Sequence, residues 1–437
     1  MGSLYIVCVP AGGAWSLPVA RHTAGSSREE NRIVKNSSCS SVVCRGAFVL
    51  FWIALAGSLW IGARAATPEP KETKGAKAAT AAVAAPPCKV DERKKVSFSE
   101  EMTILARGTF EDQEESLFDE FYTQDFFPRW TLPEGRSRTP LATDSRLRTD
   151  LIRDLRNKLV KAKAGAGGQQ VYEHLNKLTL ANMSRMSKAP YCPSTRVNAM
   201  LMIGELNGLD AVQELVKTVQ DDQQSDAVRV AAMVGLIRHA SPEAGITDPA
   251  MLQTVTLAMI AIAETPVPDG DKADGGNWIR AQAAEVLGLL GSPGFNGAVV
   301  KALGTMLRDP KLPLAQRCRA AHALGQLDYS GAVIGAGPYL DALGGLAHDA
   351  LSFEQKSTPS VRRLKSNFYD ILVGLRGVDN EHAGIAKTAA DQARRDALVN
   401  AIESMNKPLN DGTLSADDLP TAIDDALKAL DGLLKAK

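Results

Sequence analysis

Acid–base chemistry in this chain would have to come from His239, His322 and Glu285, which stand on three separate helical segments. A histidine and a carboxylate held within hydrogen-bond reach make a proton-transfer pair, yet no spacing along one element joins these three. Both histidines are expected as half-buried helix residues, and no catalytic residue is assigned. Metal chemistry would have to come from two acidic stretches. The segment Pro266–Asn277 gathers Asp269, Asp271, Asp274 and Asn277 among glycines, while Asn410–Asp418 has Asp411, Gly412 and Asp418 where half of a calcium loop would place them. Oxygen ligands of this kind suit calcium. The first stretch lacks the closing glutamate, and the second carries Lys407 and Leu409 in ligand positions. An exposed turn is expected for the first, and for the second a capping pair, Ser415 and Asp418, opening the last helix. No CxxC and no Cys/His pair at metal spacing occurs. Neither a metal nor a cofactor is expected.

The elements that would position these side chains are clearer than the chemistry. Four segments can be superposed, starting at Arg196, Arg229, Arg280 and Arg317. An alanine follows each arginine by three residues (Ala199, Ala232, Ala283, Ala320), and an aliphatic residue follows by seven (Ile203, Leu236, Leu287, Leu324). A glycine stands at the eighth offset in three copies, as Gly204, Gly288 and Gly325, and Ile237 replaces it in the second. Offsets of three, four and seven share one face of a helix, so each segment predicts a helix with a small, close-packing stripe. Its recurrence predicts a repeat architecture. Small residues let helices approach closely, and the aliphatic residue fills the core between repeats. The arginine is expected to be structural, bonding helix-end carbonyls or acids such as Asp226, with an anion-binding row as the alternative.

The spacing predicts helix pairs at 194–206 with 210–220, 226–239 with 249–264, 278–290 with 297–308, and 313–327 with 339–351. A degenerate fifth unit near Pro359, without the arginine, includes Phe368–Leu375, and closing helices are expected over 381–405 and 419–436. The segments RAQAAEVLGLL (280–290) and RCRAAHALGQL (317–327) resemble HEAT-like repeats, including those of the phycobilisome-lyase type. The resemblance covers residues 190 to 375. It implies an α-solenoid, and it leaves open scaffold, adaptor and lyase-like roles.

Composition agrees with an all-α fold: aromatic residues make up 5% of the 437, and alanine is abundant. Lysine plus arginine and aspartate plus glutamate number 50 each. Without residues 1–65 the balance becomes 44 to 48, against the sign of a polyanion binder, so nucleic acid is not expected as a partner. Residues 47–61 (AFVLFWIALAGSLWI) form an apolar run that ends before small residues, with Ala63 and Ala65 at −3 and −1 for cleavage. This pattern predicts a secretory signal, with an uncleaved anchor as the alternative, and membrane contact is expected only through that run.

The expected organisation is an N-terminal extension with its signal over 1–65 and a flexible Ala/Pro/Lys-rich linker over 66–95. A mostly helical segment follows over 96–187, then the repeats over 188–378 and capping helices over 379–437. The acidic stretch Glu111–Asp125 is expected as an amphipathic helix covering the solenoid's end, with its acids in water. Cys88, Cys192 and Cys318 remain after residue 65. An odd count permits one disulfide at most, and a Cys88–Cys192 pair would tether the N-terminal segment in an oxidising compartment. Taken together, the sequence predicts an exported, non-enzymatic scaffold in the periplasm or cell envelope, with a protein partner on its concave surface. The alternative is a lyase- or chaperone-like protein binding a small molecule or client in that groove.

Overall fold

A computed structural model of the chain describes residues 88–131, 144–242, 245–267, 270, 273–378, 384–415 and 417–435, all within one compact unit, Ala84–Lys437. The apolar run 47–61, the linker up to residue 87, Asp269 and Asp271 lie outside the described residues. The described part is helical, and among its residues no strand forms; one isolated bridge joins Lys89 and Tyr191. No described helix is long and apolar enough to cross a membrane.

Among the described residues four helices precede the repeats: α1 (Glu101–Arg107), α2 (Glu114–Glu120), α3 (Asp144–Lys163) and α4 (Gln170–Met186). A π-helical turn (Phe121–Phe126) and a 3-10 turn (Phe127–Thr131) follow α2. The acidic stretch is therefore shorter as an α-helix than its periodicity predicts. Its aromatic residues Phe118, Tyr122, Phe126 and Phe127 are core rather than a cover for one end. Nor are its acids all in water, because Asp125 is buried between Arg93 and Arg129. Burial of so much aromatic area builds the N-terminal end of a core that continues into the helices beyond. A buried polar network fixes the register of that core: Lys158 of α3 donates to both carboxylate oxygens of Glu101 at 2.6 Å, and the Tyr122 hydroxyl donates to the same carboxylate at 2.6 Å.

Residues 88–95 form a pinned strap, where the sequence predicts flexible linker. Cys88 is disulfide-bonded to Cys192, the residue before α5. The Lys89 amide donates to the Pro190 carbonyl and the Lys94 amide to that of Gln124. Asp91 accepts from Arg185 and from the Tyr191 hydroxyl, both at 2.8 Å.

Nine helices then alternate between two rows. Row A contains α5 (Pro193–Glu205), α7 (Asp226–Ala240), α9 (Ala273–Leu290), α11 (Leu314–Gly325) and α13 (Val361–Arg376). Row B contains α6 (Leu209–Gln220), α8 (Pro249–Glu264), α10 (Ala298–Arg308) and α12 (Gly337–Lys356). Each row A helix packs on the helix that precedes it, and each helix on the next member of its own row; α7 and α9 make little contact with the helices that follow them, with which the sequence pairs them. The last two helices close the stack, α14 (Ala389–Asp411) against α13 and α15 (Leu419–Lys435) against α12.

Row A is held by glycine. A Cβ on Gly204 would lie 2.7 Å from the Gly235 Cα, one on Gly288 2.8 Å from the Ala323 Cα, and one on Gly325 2.0 Å from the Val373 carbonyl oxygen. All of these are backbone atoms, which cannot swing aside. Glycines in row B meet side chains instead: Gly304 faces the Tyr339 ring, and Gly344 faces Leu398 and Leu434. The second copy has a substitute for its missing glycine, because Gly235, two residues before Ile237, makes the close approach to Gly204.

Candidate functional site

The frame residues divide between the ends and the core of row A. Ala199, Ala232, Ala283 and Ala320 are fully buried. Each frame arginine reaches back to the end of an earlier helix. Arg196 donates its Nε to the Ser187 carbonyl (3.3 Å), Arg229 to Val219 (2.9 Å), Arg280 to Ala263 (3.2 Å) and Arg317 to Leu307 (2.8 Å). These carbonyls sit at or just past helix C-termini, where acceptors lack an intrahelical partner. The outer nitrogens bond forward, Arg196 to Gln224 (2.6 Å), Arg280 to Asp309 (2.8 Å) and Arg317 to Asp349 (2.8 Å), while Arg229 lies 3.8 Å from Asp226. With their donors engaged in this way, the four arginines have little left to offer an anion on the open face.

The fifth unit has not lost its arginine. Arg363 stands eleven residues before Gly374, instead of the frame's eight, and pairs with the fully buried carboxylate of Glu354 near the end of α12. The same guanidinium donates to the Thr358 carbonyl at 3.2 Å. A shift of one helical turn keeps the residue on the same face. That turn hides it from an alignment at fixed offset.

Once the frame is accounted for, a band of other side chains remains on the exposed face of row A. On α9 and α11, Trp278 stacks under the Arg319 guanidinium at 4.7 Å, and Arg319 lies 3.8 Å from Glu285. Between α11 and α13, the His322 Nδ1 lies 3.0 Å from an Asp370 oxygen, and the His322 and Tyr369 rings are 5.6 Å apart. Burial between its flanking helices raises the Glu285 carboxyl above its ordinary value, while Arg319 and His322 oppose this and Asp370 adds to it. The Glu285 side chain keeps 42% of its surface exposed, which limits how far that shift can go. Tyr369 is 61% exposed.

The fold thus brings His322 and Glu285 to one surface, together with Asp370, whose place there the sequence does not signal. His239 does not join them. It is buried on α7, with a backbone hydrogen bond to Leu206 and an Nε2 that has no partner, and burial followed by the Arg238 charge lowers its pKa to about 4. Asp370 orients His322 as the carboxylate of a proton-transfer pair would. The band's own groups are two carboxylates, an imidazole, a phenol, an indole and a guanidinium, without a serine, threonine or cysteine.

In both acidic stretches helix takes up part of the described residues. Asp274 and the buried Asn277 belong to α9, which starts at Ala273 inside the predicted loop. Lys407, Leu409 and Asp411 belong to α14, and the Asp418 amide donates to Ser415 Oγ at 3.1 Å. Among the described residues no cluster of His, Cys, Asp or Glu is arranged to hold a metal. Two hollows lie away from the band. One of about 310 Å³ is lined by Arg308, Arg317, His348, Asp349 and Asp431, among others, and much of its charge is already paired, Arg317 with Asp349 and His348 with Asp431. The other, of about 440 Å³, surrounds His174, which lies between Asp119 and Glu115.

No family model matches the chain, and no curated protein matches it significantly.

Proposed function

We propose that this chain is an exported, non-enzymatic HEAT-like α-solenoid that serves as a protein–protein interaction scaffold in the periplasm or cell envelope. The observation that carries the reading is the band on row A, in which Trp278, Arg319, His322, Asp370 and Tyr369 span three consecutive helices. Tryptophan, tyrosine and arginine dominate the energetic centres of protein interfaces, because they combine large area with a polar handle. Row A helices meet backbone to backbone, whereas row B helices meet through side chains. The closer row lies on the inside of a bend, which would set the band on the concave surface of the solenoid. Export is supported by the signal-like run 47–61 and by the Cys88–Cys192 bond, a pairing that persists in oxidising compartments.

A lyase- or chaperone-like role would call for a pocket with convergent, unspent polar groups. The two hollows lie off the band, and in the first the Arg317–Asp349 and His348–Asp431 pairs take up most of the charge, so this reading finds less support.

The test is capture from envelope extract by the full chain, with the Arg319→Ala/Tyr369→Ala variant in parallel. A stoichiometric protein held by the wild type and weakened about tenfold or more in the variant supports the reading. Equal capture by both moves the interface elsewhere, and a co-purifying small molecule without a protein overturns the scaffold.

A further inference from the structure

An asparagine side chain is most open to attack by the next backbone nitrogen when that residue is glycine, because the missing Cβ leaves the approach clear. The pair occurs twice in the chain, as Asn207–Gly208 and Asn296–Gly297, and each stands in a connection that leaves a row A helix. Their surroundings differ.

Asn207 is held from both sides. Its side-chain amide donates to the Tyr172 hydroxyl at 2.9 Å, and its backbone carbonyl accepts from the Asn176 side chain at 2.9 Å. The connection is only 206–208, and Leu206 is buried in the core. Closing a ring onto Gly208 would break the bond to Tyr172 and turn a backbone whose neighbour is fixed.

Asn296 has no such restraint. Among the described residues its side chain has no hydrogen-bond partner, and it is exposed beside Phe295, itself 89% exposed. Gly294 (φ 76°), Asn296 (φ 52°) and Gly297 (φ 72°) are all left-handed, an uncommon conformation for a residue with a side chain. The Gly297 amide donates to the Gly294 carbonyl at 3.1 Å, a bond closed within the turn itself, so water can take its place when the tip opens.

We propose that Asn296 is a site of spontaneous deamidation, at which water converts the side-chain amide to a carboxylate. The Gly297 nitrogen gives its proton to solvent and bonds to the Asn296 Cγ, the Cγ–Nδ2 bond breaks, and that nitrogen leaves as ammonia. Water then opens the cyclic succinimide at one or other carbonyl, leaving aspartate or isoaspartate at 296, and no other reactant is needed. Ring closure requires the Asn296 Cα–C bond to turn from its ψ of 29°, and a glycine beyond that bond resists the turn least. The fold accommodates the product. Gly297 is the N-cap of α10, so the new carboxylate stands one residue before the cap, where the helix dipole favours negative charge. The connection 291–297 (GSPGFNG) has no charged residue, and the reaction gives it its first, next to the exposed Phe295 ring. The site is separate from the band and does not depend on a partner there.

The experiment incubates the full chain in warm, mildly alkaline buffer, folded and in urea, and follows both Asn-Gly peptides by mass spectrometry over time. In urea the two sites should react at similar rates. In the folded chain Asn296 should react about tenfold faster than Asn207, the factor that the hydrogen bonds holding Asn207 would supply. An acidic form should accumulate on ion exchange in step with it, and Asn296→Gln should abolish that form. Tyr172→Phe should speed Asn207 severalfold and leave Asn296 unchanged. Asn207 reacting as fast as Asn296 in the folded chain would overturn the proposal. So would an Asn296 that reacts in urea and not in the folded chain, because the turn would then keep the Gly297 amide out of reach.

Discussion

Replacing Gly325 with alanine tests the close packing of row A at its tightest point. The added Cβ would sit 2.0 Å from the Val373 oxygen and 2.5 Å from its carbonyl carbon, while ordinary contact begins at 3.4 Å. The partners are backbone atoms, so relief requires α11 and α13 to part by about 1.4 Å locally, the difference between those two distances. Overpacking of this kind costs about 3 kcal/mol. Gly432, inside α15, provides the control, because nothing lies within 4 Å of its Cβ position. There alanine improves helix propensity and should stabilise by up to about 1 kcal/mol. Urea unfolding followed by circular dichroism reads both variants, with the midpoint compared at constant slope. Gly204→Ala, whose Cβ would meet the Gly235 Cα at 2.7 Å, should fall on the destabilising side. If Gly325→Ala and Gly432→Ala shift the midpoint in the same direction, backbone contact does not hold row A, and the argument for a bend toward that row fails with it.

Arg280→Lys should destabilise by about 2 kcal/mol, because a lysine cannot bond Ala263 and Asp309 together from a buried site; urea midpoints measure it. Burial works against ionisation of Asp309, but the hydrogen bond and charge of Arg280, together with the Lys311 and Leu312 amides, outweigh it and hold the carboxyl below its ordinary range. The stabilisation from this pair is present above about pH 4 and is lost as pH falls through the lowered value. Asp309→Asn should therefore flatten the acid limb of the stability profile. His239 acts with the same sign in a higher pH window, here because burial favours the neutral ring. Its pKa is lowered to about 4, so the unfolded chain takes up the proton first, and stability should fall by up to about 3 kcal/mol as pH drops from about 6.5 to 4. His239→Gln should remove that slope in unfolding experiments across this range. Cys88→Ser removes a crosslink spanning 104 residues. A loss of about 4 kcal/mol is expected, together with faster proteolysis at residues 88–95.

What the sequence reveals and conceals follows from distance along the chain. The arginine, alanine and glycine of each copy lie within one helix and recur, so their period identifies the row A helices to within a few residues, but not which neighbour each packs on. The start of α9 is the exception, because Asp274, Gly275 and Gly276 read as loop residues yet form its first turn. Glycine and aspartate weaken a helix by their own propensity, but packing of the element overrides that preference. Arg363 is missed because it moves by one turn, and Gly235 because it moves by two residues. The pairing of His322 with Asp370 crosses 48 residues, and that of Lys158 with Glu101 crosses 57. No local pattern encodes such pairs. The π-helical turn at Phe121–Phe126 leaves the 3.6-residue period altogether, which makes the acidic stretch look like one longer helix than it is.

A division of labour along each row A helix explains why the frame is silent about function. The N-terminal end is fixed by an arginine bonded to an earlier helix's carbonyl, and the C-terminal part by glycine-mediated contact with the next helix. With both ends held by repeating residues, the half-exposed positions between them are less constrained by packing, although Leu201 and Leu289 there still pack on the core. Counted from the frame arginine, those positions include the fifth and ninth offsets. The fifth holds Leu201, Val234, Glu285 and His322, and the ninth holds Glu205, Arg238, Leu289 and Gln326, all partly exposed. No two of the four copies agree at either offset, although they agree at the buried ones. A surface that crosses several helices shows a different side chain on each, and superposing the copies averages that information away. The same superposition exposes the fold and erases the variation across it, so residues such as Glu285 and His322 become visible as a surface only when the helices stand side by side.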